Sequence, residues 1–482
     1  MAEFTGLATL DLLVILLYLL LCVVIGLKAG GRPSDSTSYF KTDGKVPWWA
    51  VSFSVVATET SMLTVISIPA VAYLGSLVFL QIVFGYVLGR IVIAWLILPY
   101  YFKGEQKTAY SFFGERFGPG FQRLISLVFL LTRLLADGVR LFAAAIPIKV
   151  ITGLDYPVSI SIIAALTLAY TYYGGLKSVI WIDVLQLCVY TFGGAFVIWF
   201  AGTQLVDPFL PHLANAGKLQ VIVWPDSLSA VFTTPYNIIG AMLGGMFLSM
   251  ASHGVDHLMV QRLLACGELR KARTAIVASG VMVLFQFILF LFVGMAIYAY
   301  YQGLPITALG LTQADEVLLK FINEEIPAGI AGLLIAGLFA AAMSTLSSSL
   351  SALSSSTLFD VVPALSERPD SMTISRGLTL LWTVAFIFFA ISFTSTDNPV
   401  IELGLAIAGF TYGALLGAFF IGRFTDYNRL SAIIALIVCV SSMVAVIFLG
   451  NIAYPWYTLI GVSIFILTAA LAEQMLKLTG RI

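Results

Sequence analysis

The sequence is poor in charged residues. Asp, Glu, Lys and Arg make up 10% of its 482 residues, whereas soluble domains carry about 25%. The formal net charge is zero, and neither a basic run nor a zinc-finger spacing occurs, so nucleic acid is not expected as a partner. Cysteine is also scarce, and buried apolar thiols are the default interpretation of isolated cysteines. The four are Cys22, Cys188, Cys266 and Cys439.

Long apolar segments fill most of the chain. Hydrophobic residues reach 60%, and the mean hydropathy is +0.99. Because a bilayer-spanning helix needs roughly 20 apolar residues, the sequence predicts an all-α polytopic membrane protein with about 13 transmembrane helices. The predicted segments are residues 7–28, 48–75, 78–102, 120–150, 156–174, 178–202, 236–264, 273–301, 328–360, 375–396, 399–423, 430–450 and 454–476.

The positive charges predict the orientation of these segments, since Lys and Arg concentrate in cytoplasmic loops. They cluster in the odd-numbered gaps and after the last segment, whereas the even-numbered gaps hold only Lys149, Lys218 and Lys320. We therefore predict an outside N-terminus and a cytoplasmic C-terminus. The first segment is too long for a cleaved signal, and Glu3 stands where a basic region would be. The small loops favour a bacterial inner membrane.

The whole chain, residues 1–482, is interpreted as one membrane domain. The longest polar gaps, 203–235 and 302–327, are predicted to lie outside. Residues 311–326 have the pattern of a short amphipathic helix at the surface.

A run of hydroxyl residues occupies residues 340–357, AAAMSTLSSSLSALSSST. It holds eight serines and two threonines in 18 residues, without charge, glycine or proline. Ala341, Ser344, Thr345 and Ser348 share one face of a helix. Small hydroxyl residues let membrane helices approach closely and hydrogen-bond, which is one interpretation. The other is an oxygen cage for a hard cation.

Polar residues also interrupt the segment 48–75. They are Thr58, Glu59, Thr60, Ser61 and Thr64, and Pro69 follows them. Transporters built from inverted repeats break a helix at the bilayer midplane and use the freed backbone for ions and substrate, so we predict a broken helix here. The alternative is an ordinary proline kink, with Glu59 paired to a neighbouring helix.

Asp183 lies about two turns into another apolar segment, after the turn at Gly174 and Gly175. A membrane aspartate needs a cation or a partner. Two interpretations remain open, namely a bound cation and a salt bridge to an arginine such as Arg133.

His253 and His257 are spaced i, i+4, with Asp256 between them. That spacing can bind a transition metal, but it is not HExxH and no third ligand is evident nearby. A pocket role or ordinary interhelical hydrogen bonding is favoured.

Arg133, Asp137 and Arg140 also follow helical spacing. They are expected to pair among themselves in a buried network. The alternative is that Arg140 clamps a substrate carboxylate.

Four stretches together resemble the sodium:solute symporter family, which includes sodium/glucose cotransporters, the bacterial proline permease and sodium-coupled sialic acid transporters. They occur in the family's order and spacing, and the resemblance covers nearly the whole chain. The stretches are VPWWAVSFSVVATETS (46–61), YGGLKSVIWIDVLQ (173–186), DHLMVQRLLA (256–265) and AAAMSTLSSSLSALSSSTLFD (340–360).

The resemblance implies a leucine-transporter-type fold with a five-plus-five inverted-repeat core. One extra helix at 7–28 would precede the core, and two helices at 430–476 would follow it. The first repeat would span 48–202 and the second 236–423.

The resemblance also implies ion sites. The family's common sodium site uses the first and eighth core helices, and its ligands are carried over to Ala57, Thr60, Ala341, Ser344 and Thr345. Some members hold a second sodium ion, for which the corresponding residues are Asp183, Ser347 and Ser348, with Ser344 shared. Sodium is the only metal implied, no other cofactor is expected, and the chain is not expected to be an enzyme.

For the substrate, the resemblance implies a pocket at the broken helix. The candidate residues are Glu59, Ser61, Thr64, Gln81, Arg140, Asp256 and His257. Glu59 departs from the family, because the proline permease has aspartate there and the sialic acid transporters have threonine. A carboxylate at this place could meet a substrate amine or add charge near the sodium ion.

We therefore expect a sodium-coupled symporter that imports a small polar solute by alternating access, with one or two sodium ions. Its partners would be that solute, sodium and the lipid bilayer. Candidate charges of both signs favour an amino acid or a carboxylated metabolite. The alternatives are a sodium-coupled sugar transporter and a proton-coupled carrier that titrates Glu59, Asp183 and Asp256.

Overall fold

Helices make up the regular structure of the protein. The structure is a computed structural model, and it describes residues 7–31, 33–42, 46–103, 106–205, 208–392 and 400–480. Every regular element within those ranges is helical. The chain ends used to predict the orientation, residues 1–6 and 481–482, lie outside the described residues. So does the stretch 393–399, where two predicted segments meet.

The longer helices are numbered in chain order. They are α1 Thr9–Gly30, α2 Trp48–Glu59, α3 Met62–Leu74, α4 Leu80–Val92, α5 Pro119–Thr152, α6 Tyr156–Thr203, α7 Ile238–Gly254, α8 His257–Leu264, α9 Leu269–Tyr300, α10 Ile330–Ser356, α11 Ser371–Ser392, α12 Val400–Phe424, α13 Arg429–Leu449 and α14 Trp456–Leu478. Short helices at Ser36–Lys41, Ser111–Phe117, Phe209–Asn215, Leu228–Thr233 and Val317–Glu324 lie between them.

Most predicted segments coincide with one helix each. Among the described residues, nine helices are long and apolar enough to cross a membrane, and the bent pair α2–α3 adds a tenth. Helices α5 and α12 are also long, at 34 and 25 residues. The 48 residues of α6 hold two predicted segments, divided at Gly175, which has a φ of 58°. The number of crossings stays a prediction.

Two helices of the core are broken near their middles. The predicted break between α2 and α3 lies at Thr60 and Ser61, whose backbones are extended, and it bends the pair by 68°. A second break, which the sequence analysis did not predict, separates α7 from α8. There the Asp256 Oδ1 atom accepts a hydrogen bond from the Leu258 N–H at 2.9 Å, and this N-cap starts a new helix.

Packing between the helices repeats in the two halves of the core. Helix α4 packs against α7, and its counterpart α9 packs against the broken pair α2–α3. In the same way α5 packs against α12, and its counterpart α10 packs against α6. These two pairs of contacts between the halves are related in the way that an inverted repeat requires.

The hydroxyl-rich helix α10 lies in the interior of the protein. It packs against α6, α1, α5 and α11, and all eight of its serines and Thr345 are buried. The hydroxyl stripe therefore faces other helices on every side. The residues that it contacts on those helices determine whether it serves helix packing or ion binding.

Asp11 of α1 anchors the start of α10. Its buried Oδ1 atom accepts hydrogen bonds from the N–H groups of Gly329 and Gly332, both at 2.7 Å. A Cβ atom on Gly332 would come within 2.6 Å of the Asp11 Cα atom, so glycine is needed for this close approach. The carboxylate thus satisfies two N–H groups that a helix start leaves without partners.

Replacement of Asp11 by alanine is expected to destabilise the protein by about 1–2 kcal/mol, since a capping acceptor is lost. The measurement is thermal unfolding of the detergent-purified protein. Asp155→Ala is the matched control, because Asp155 stands at the N-cap of α6 without a side-chain capping bond. Equal losses in the two variants would contradict the capping role.

Candidate functional site

The break between α2 and α3 frees backbone oxygen atoms. The Ser61 N–H donates to the Glu59 carbonyl at 3.1 Å, and this bond replaces the helical bond to the Ala57 carbonyl. The Thr60 N–H donates to the Val56 carbonyl at 3.0 Å and closes the last turn of α2. Carbonyl groups near the break are therefore free to accept a hydroxyl or a cation.

Helix α10 meets α2 at this break. The Thr345 Oγ1 atom donates to the Ala341 carbonyl at 3.3 Å and approaches the Thr58 carbonyl at 3.5 Å. One turn further on, the Ser348 hydroxyl hydrogen-bonds to the Thr58 hydroxyl at 3.0 Å. The structure thus brings Thr345, one of the predicted sodium ligands on α10, to Thr58, which lies between the predicted ligands Ala57 and Thr60 at the end of α2.

Gln286 of α9 also reaches the α2–α3 break, and the sequence did not lead us to predict this residue. Its Nε2 atom donates to the Thr60 Oγ1 atom, which in turn donates to the Val56 carbonyl at 2.8 Å. Gln286 is a lone amide in the apolar run VLFQFILF. A polar residue in such a run is costly unless it has a partner, and that signal could have identified it.

Asp183 of α6 lies within reach of the hydroxyl stripe. Its fully buried carboxylate accepts hydrogen bonds from Ser344 at 2.7 Å and from Ser54 at 2.5 Å. Nearby, the hydroxyls of Ser347 and Ser348 donate to the Ser344 carbonyl at 3.1 and 2.6 Å. The four residues predicted for a second sodium ion therefore form one cluster.

The cationic partner of Asp183 is Arg262 of α8. The Arg262 NH2 atom lies 3.5 Å from Asp183 Oδ2, and both side chains are completely buried. The predicted salt bridge from Asp183 to an arginine is present, but Arg133 was the wrong arginine. Arg133 contacts Asp256 and Asp137 instead. Sequence order could not distinguish the two arginines, since α8 reaches Asp183 only through the break after α7.

A buried charge network joins α5 to the α7–α8 break. Asp137 pairs with Arg140 at 2.8 Å and with Arg133 at 3.5 Å, which confirms the predicted pairing within α5. The Arg133 Nε atom also donates to Asp256 at 3.1 Å, and its NH2 atom donates to the Tyr412 hydroxyl at 2.8 Å. Arg133 is thus held from three helices, α5, α8 and α12.

A small cavity, with room for about one water molecule, lies where α3, α5 and α10 meet. Its walls are formed by Ser61, Met62, Leu63, Asp137, Arg140, Leu141, Ala342, Thr345 and Leu346. Arg140 keeps 30% of its side-chain surface exposed, against 1% for Asp137 and 6% for Arg133. This cavity therefore combines an accessible guanidinium, a hydroxyl at the helix break and one predicted sodium ligand.

Glu59 is directed away from that cavity into a second polar cluster. It forms an ion pair with the fully buried Arg90 of α4, and its Oε2 atom lies 3.4 Å from the His253 Nε2 atom. Arg90 also donates to the Ser279 hydroxyl at 3.0 Å. The cluster therefore ties α2, α4, α7 and α9 together, and the carboxylate is already engaged by cationic and polar partners.

Several candidate substrate residues are held by structural contacts outside the cavity. The Gln81 amide donates to the Val78 and Tyr236 carbonyls at 3.1 and 2.8 Å and accepts from the Val223 N–H. The His257 Nδ1 atom accepts from the Ala109 N–H at 3.2 Å, and its Nε2 atom bonds to Ser355 at 2.8 Å. A substrate-binding role for these two side chains stays a prediction.

Thr64 and Asp256 also lie outside the cavity walls. The Thr64 Oγ1 atom is 3.5 Å from the Ser61 Oγ atom, so it supports a residue of the wall. Asp256 caps α8 and pairs with Arg133.

Within the described ranges, no group of three or more His, Cys, Asp or Glu residues is placed to hold a metal ion.

Comparison with known proteins gives related transporters. The sodium/sialic acid symporter SiaT of Proteus mirabilis is 27% identical over an alignment of 450 positions, which covers 92% of this chain and 90% of that protein. The sodium/sialic acid symporter NanT of Aliivibrio fischeri is 25% identical over an alignment of 496 positions with gaps, which covers 98% of this chain and 95% of that protein. A solved structure of a sodium-coupled sialic acid symporter, substrate-bound and outward-open, matches 97% of this chain and 98% of that one, with a TM-score of 0.84 and 25% identity.

These likenesses extend over nearly the full length of the chain. They confirm the predicted inverted-repeat fold and sodium as the coupling ion, and the related proteins are transporters and not enzymes. The model of the sodium:solute symporter family matches residues 39–438. The chain therefore belongs to the sodium:solute symporter family and is a sodium-coupled symporter.

Proposed function

We propose that this symporter imports a small carboxylated solute, with Arg140 as the group that recognises the carboxylate. The observation that carries the proposal is the cavity, because its walls join the accessible Arg140 guanidinium to Ser61 and to Thr345. Arginine is well suited to a carboxylate, since its planar guanidinium can donate two parallel hydrogen bonds. The sialic acid relatives support this class of substrate, because a sialic acid carries a carboxylate.

The expectation of an amino acid substrate is corrected. It relied on candidate charges of both signs, and the two carboxylates among them already have partners: Glu59 contacts Arg90 and His253, and Asp256 contacts Arg133. In addition, the two sialic acid symporters that match nearly the whole chain transport a sugar acid by name. The proposal is therefore restricted to carboxylated solutes.

Coupling would follow from the shared wall of the two sites. A sodium ion held by Ala57, Thr60, Ala341, Ser344 and Thr345 would fix the α2–α3 break against α10. That break also carries Ser61 of the cavity wall, so sodium would shape the cavity for the substrate. Binding of both would then favour alternating access, with the broken helices moving against α5, α6 and α10.

The number of sodium ions determines whether the membrane potential drives uptake. A monoanionic carboxylate transported with one sodium ion carries no net charge. With two sodium ions, the transported load has a net charge of plus one. The potential contributes about 2.3 kcal/mol per charge per 100 mV, which corresponds to about fortyfold accumulation. We propose two sodium ions, the second one held by Asp183, Ser344, Ser347 and Ser348.

The proposed membrane arrangement is that predicted from the charges. Residues 48–202 and 236–423 would form the two repeats of one transport domain in the cell inner membrane. The N-terminus would lie outside and the C-terminus in the cytoplasm.

The test is uptake into proteoliposomes that hold the purified protein. Radiolabelled N-acetylneuraminate, a monocarboxylate, a neutral hexose and a neutral amino acid are each offered with an inward sodium gradient or with choline. We expect sodium-dependent uptake of a carboxylated solute, and a valinomycin-induced inside-negative potential should accelerate it if two sodium ions move. Equal uptake of the neutral hexose would contradict the assignment of the carboxylate.

Replacement of Thr345 by valine is expected to raise the sodium concentration for half-maximal uptake at least tenfold, about 1.4 kcal/mol. Valine keeps the shape of the side chain and removes the hydroxyl that faces the α2 break. Thr167→Val is the matched control, because the buried Thr167 hydroxyl only donates to the Ile163 carbonyl of its own helix. A similar shift in both variants would show that the effect is not specific to the sodium site.

A further inference from the structure

Arg262 places a guanidinium inside the cluster proposed for the second sodium ion. Its Nε atom donates to the Ser54 hydroxyl at 3.0 Å, and its NH2 atom donates to the Ser348 hydroxyl and lies 3.5 Å from Asp183 Oδ2. Its NH1 atom donates to the Leu258 carbonyl at 2.8 Å within α8. All of these side chains are completely buried.

The guanidinium and a sodium ion would need the same oxygen atoms. A hard cation in this cluster takes ligands from the Asp183 carboxylate and the Ser348 hydroxyl, which are the atoms that the Arg262 NH2 group contacts. A cation bound to them would also stand a few ångströms from the guanidinium, in a fully buried site where bulk solvent screens the repulsion little. One carboxylate in a fully buried site balances one positive charge, so two cations there leave a net charge uncompensated.

We propose that the Arg262 guanidinium and the second sodium ion are alternative occupants of the Asp183 site, so that Arg262 acts as a built-in competitor that lowers the affinity of that ion. The inference rests on the proposed second sodium site and adds the group that regulates it. Arg262 is a positioning and competing residue here, because it acts on the ion through the oxygen atoms that both require and through charge repulsion.

Displacement of Arg262 has a structural consequence. Its contacts join α8 to Ser54 of α2 and to Ser348 of α10. A sodium ion that takes over Asp183 and Ser348 removes the Arg262–Ser348 bond between α8 and α10. The His257–Ser355 bond between the same two helices remains. The second ion would therefore loosen the α8 half of the broken helix α7–α8, whereas the first ion would fix the α2–α3 break.

The test measures binding of sodium-22 to the purified full-length protein, with choline chloride keeping the ionic strength constant. The variants are Arg262→Gln, Asp183→Asn and the two combined. Arg273→Gln is the matched control, because Arg273 donates to the Ala94 carbonyl and stacks on Trp95, away from the site. Thermal unfolding in choline verifies that each variant is folded.

We expect the wild type and Arg273→Gln to bind a second sodium ion much more weakly than the first. In Arg262→Gln the half-saturating concentration of the second ion should fall at least tenfold. Asp183→Asn and the combined variant should bind one ion. Unchanged sodium binding in folded Arg262→Gln would overturn the competition.

If Arg262→Gln does not fold, Arg262→Lys provides the second variant, because the shorter side chain keeps the charge but cannot reach both serines. A threefold or greater gain in the affinity of the second ion supports the proposal, and no gain overturns it.

A measurement on the wild type needs no variant at all: amide hydrogen exchange of residues 257–264 should increase as the sodium concentration rises through the second, weaker binding transition. Exchange that does not depend on sodium overturns the proposal.

Failure of this inference can be distinguished from failure of the proposed function. If the protein binds one sodium ion and Thr345→Val weakens it, the first site stands even when Arg262→Gln changes nothing. If no variant binds sodium and Thr345→Val has no effect on uptake, the proposed sodium sites themselves are wrong.

Discussion

Replacement of Arg140 by glutamine is expected to lower the kcat/KM for uptake of a carboxylated substrate by about 100-fold, or ~2.8 kcal/mol. The loss is large because a charge-assisted, two-pronged hydrogen bond is replaced by a single neutral one. Arg140 is the most exposed member of its charge network, and it forms part of the cavity wall. The measurement is initial uptake into proteoliposomes at saturating sodium.

The variant should remain folded, which keeps the result interpretable. Without Arg140, the Asp137 carboxylate still accepts a hydrogen bond from Ser349 and still faces Arg133 at 3.5 Å. Arg140→Lys is the matched variant, because lysine keeps the charge but not the planar pair of donors, and we expect a loss of about tenfold. Sodium binding should be unchanged in both variants. Uptake within twofold of the wild type in Arg140→Gln would assign carboxylate recognition to another residue.

The sequence was sufficient to predict the α2–α3 break, because five polar residues interrupt an apolar segment there. It was not sufficient for the second break. Gly254 and Asp256 give a helix-end and an N-cap signal, but the surrounding segment is apolar enough to suggest one continuous helix. The break became visible only from the backbone, where Asp256 caps a new helix.

The ion pairs were harder to predict than the ligands. Ser344 and Asp183 follow from helical spacing and from the family resemblance, and the structure brings them together. Arg262 approaches Asp183 from the second repeat, so its position depends on how the two repeats pack, and Arg90 reaches Glu59 from the next helix of the same repeat only through the way α4 packs against α2. For Glu59 the sequence predicted either a pocket residue or a pair with a neighbouring helix, and the structure shows the pair, with Arg90 and His253 as partners. The sequence pattern identified the polar groups that need partners. Only the packing of the helices shows which partners they have.

The Arg133–Asp256 pair gives the largest expected effect on stability. Asp256→Asn should destabilise the protein by about 3–5 kcal/mol, because it leaves a buried guanidinium without its main counter-charge. Asparagine is also a good N-cap, so the substitution keeps the start of α8 and isolates the effect of the charge. Thermal unfolding of the detergent-purified protein is the measurement.

The double variant Arg133→Met/Asp256→Asn tests whether the loss comes from the unpaired charge. Removing both charges should recover stability relative to Asp256→Asn, since replacing a buried pair as a whole costs far less than breaking it. Glu268→Gln is the control, because its pair with Lys271 is exposed and contributes little. A double variant less stable than Asp256→Asn would contradict the pairing. The pair joins α5 to the α7–α8 break. If the double variant is stable but transports poorly, the pair is needed for the motion of the broken helix during transport and not for the stability of the fold.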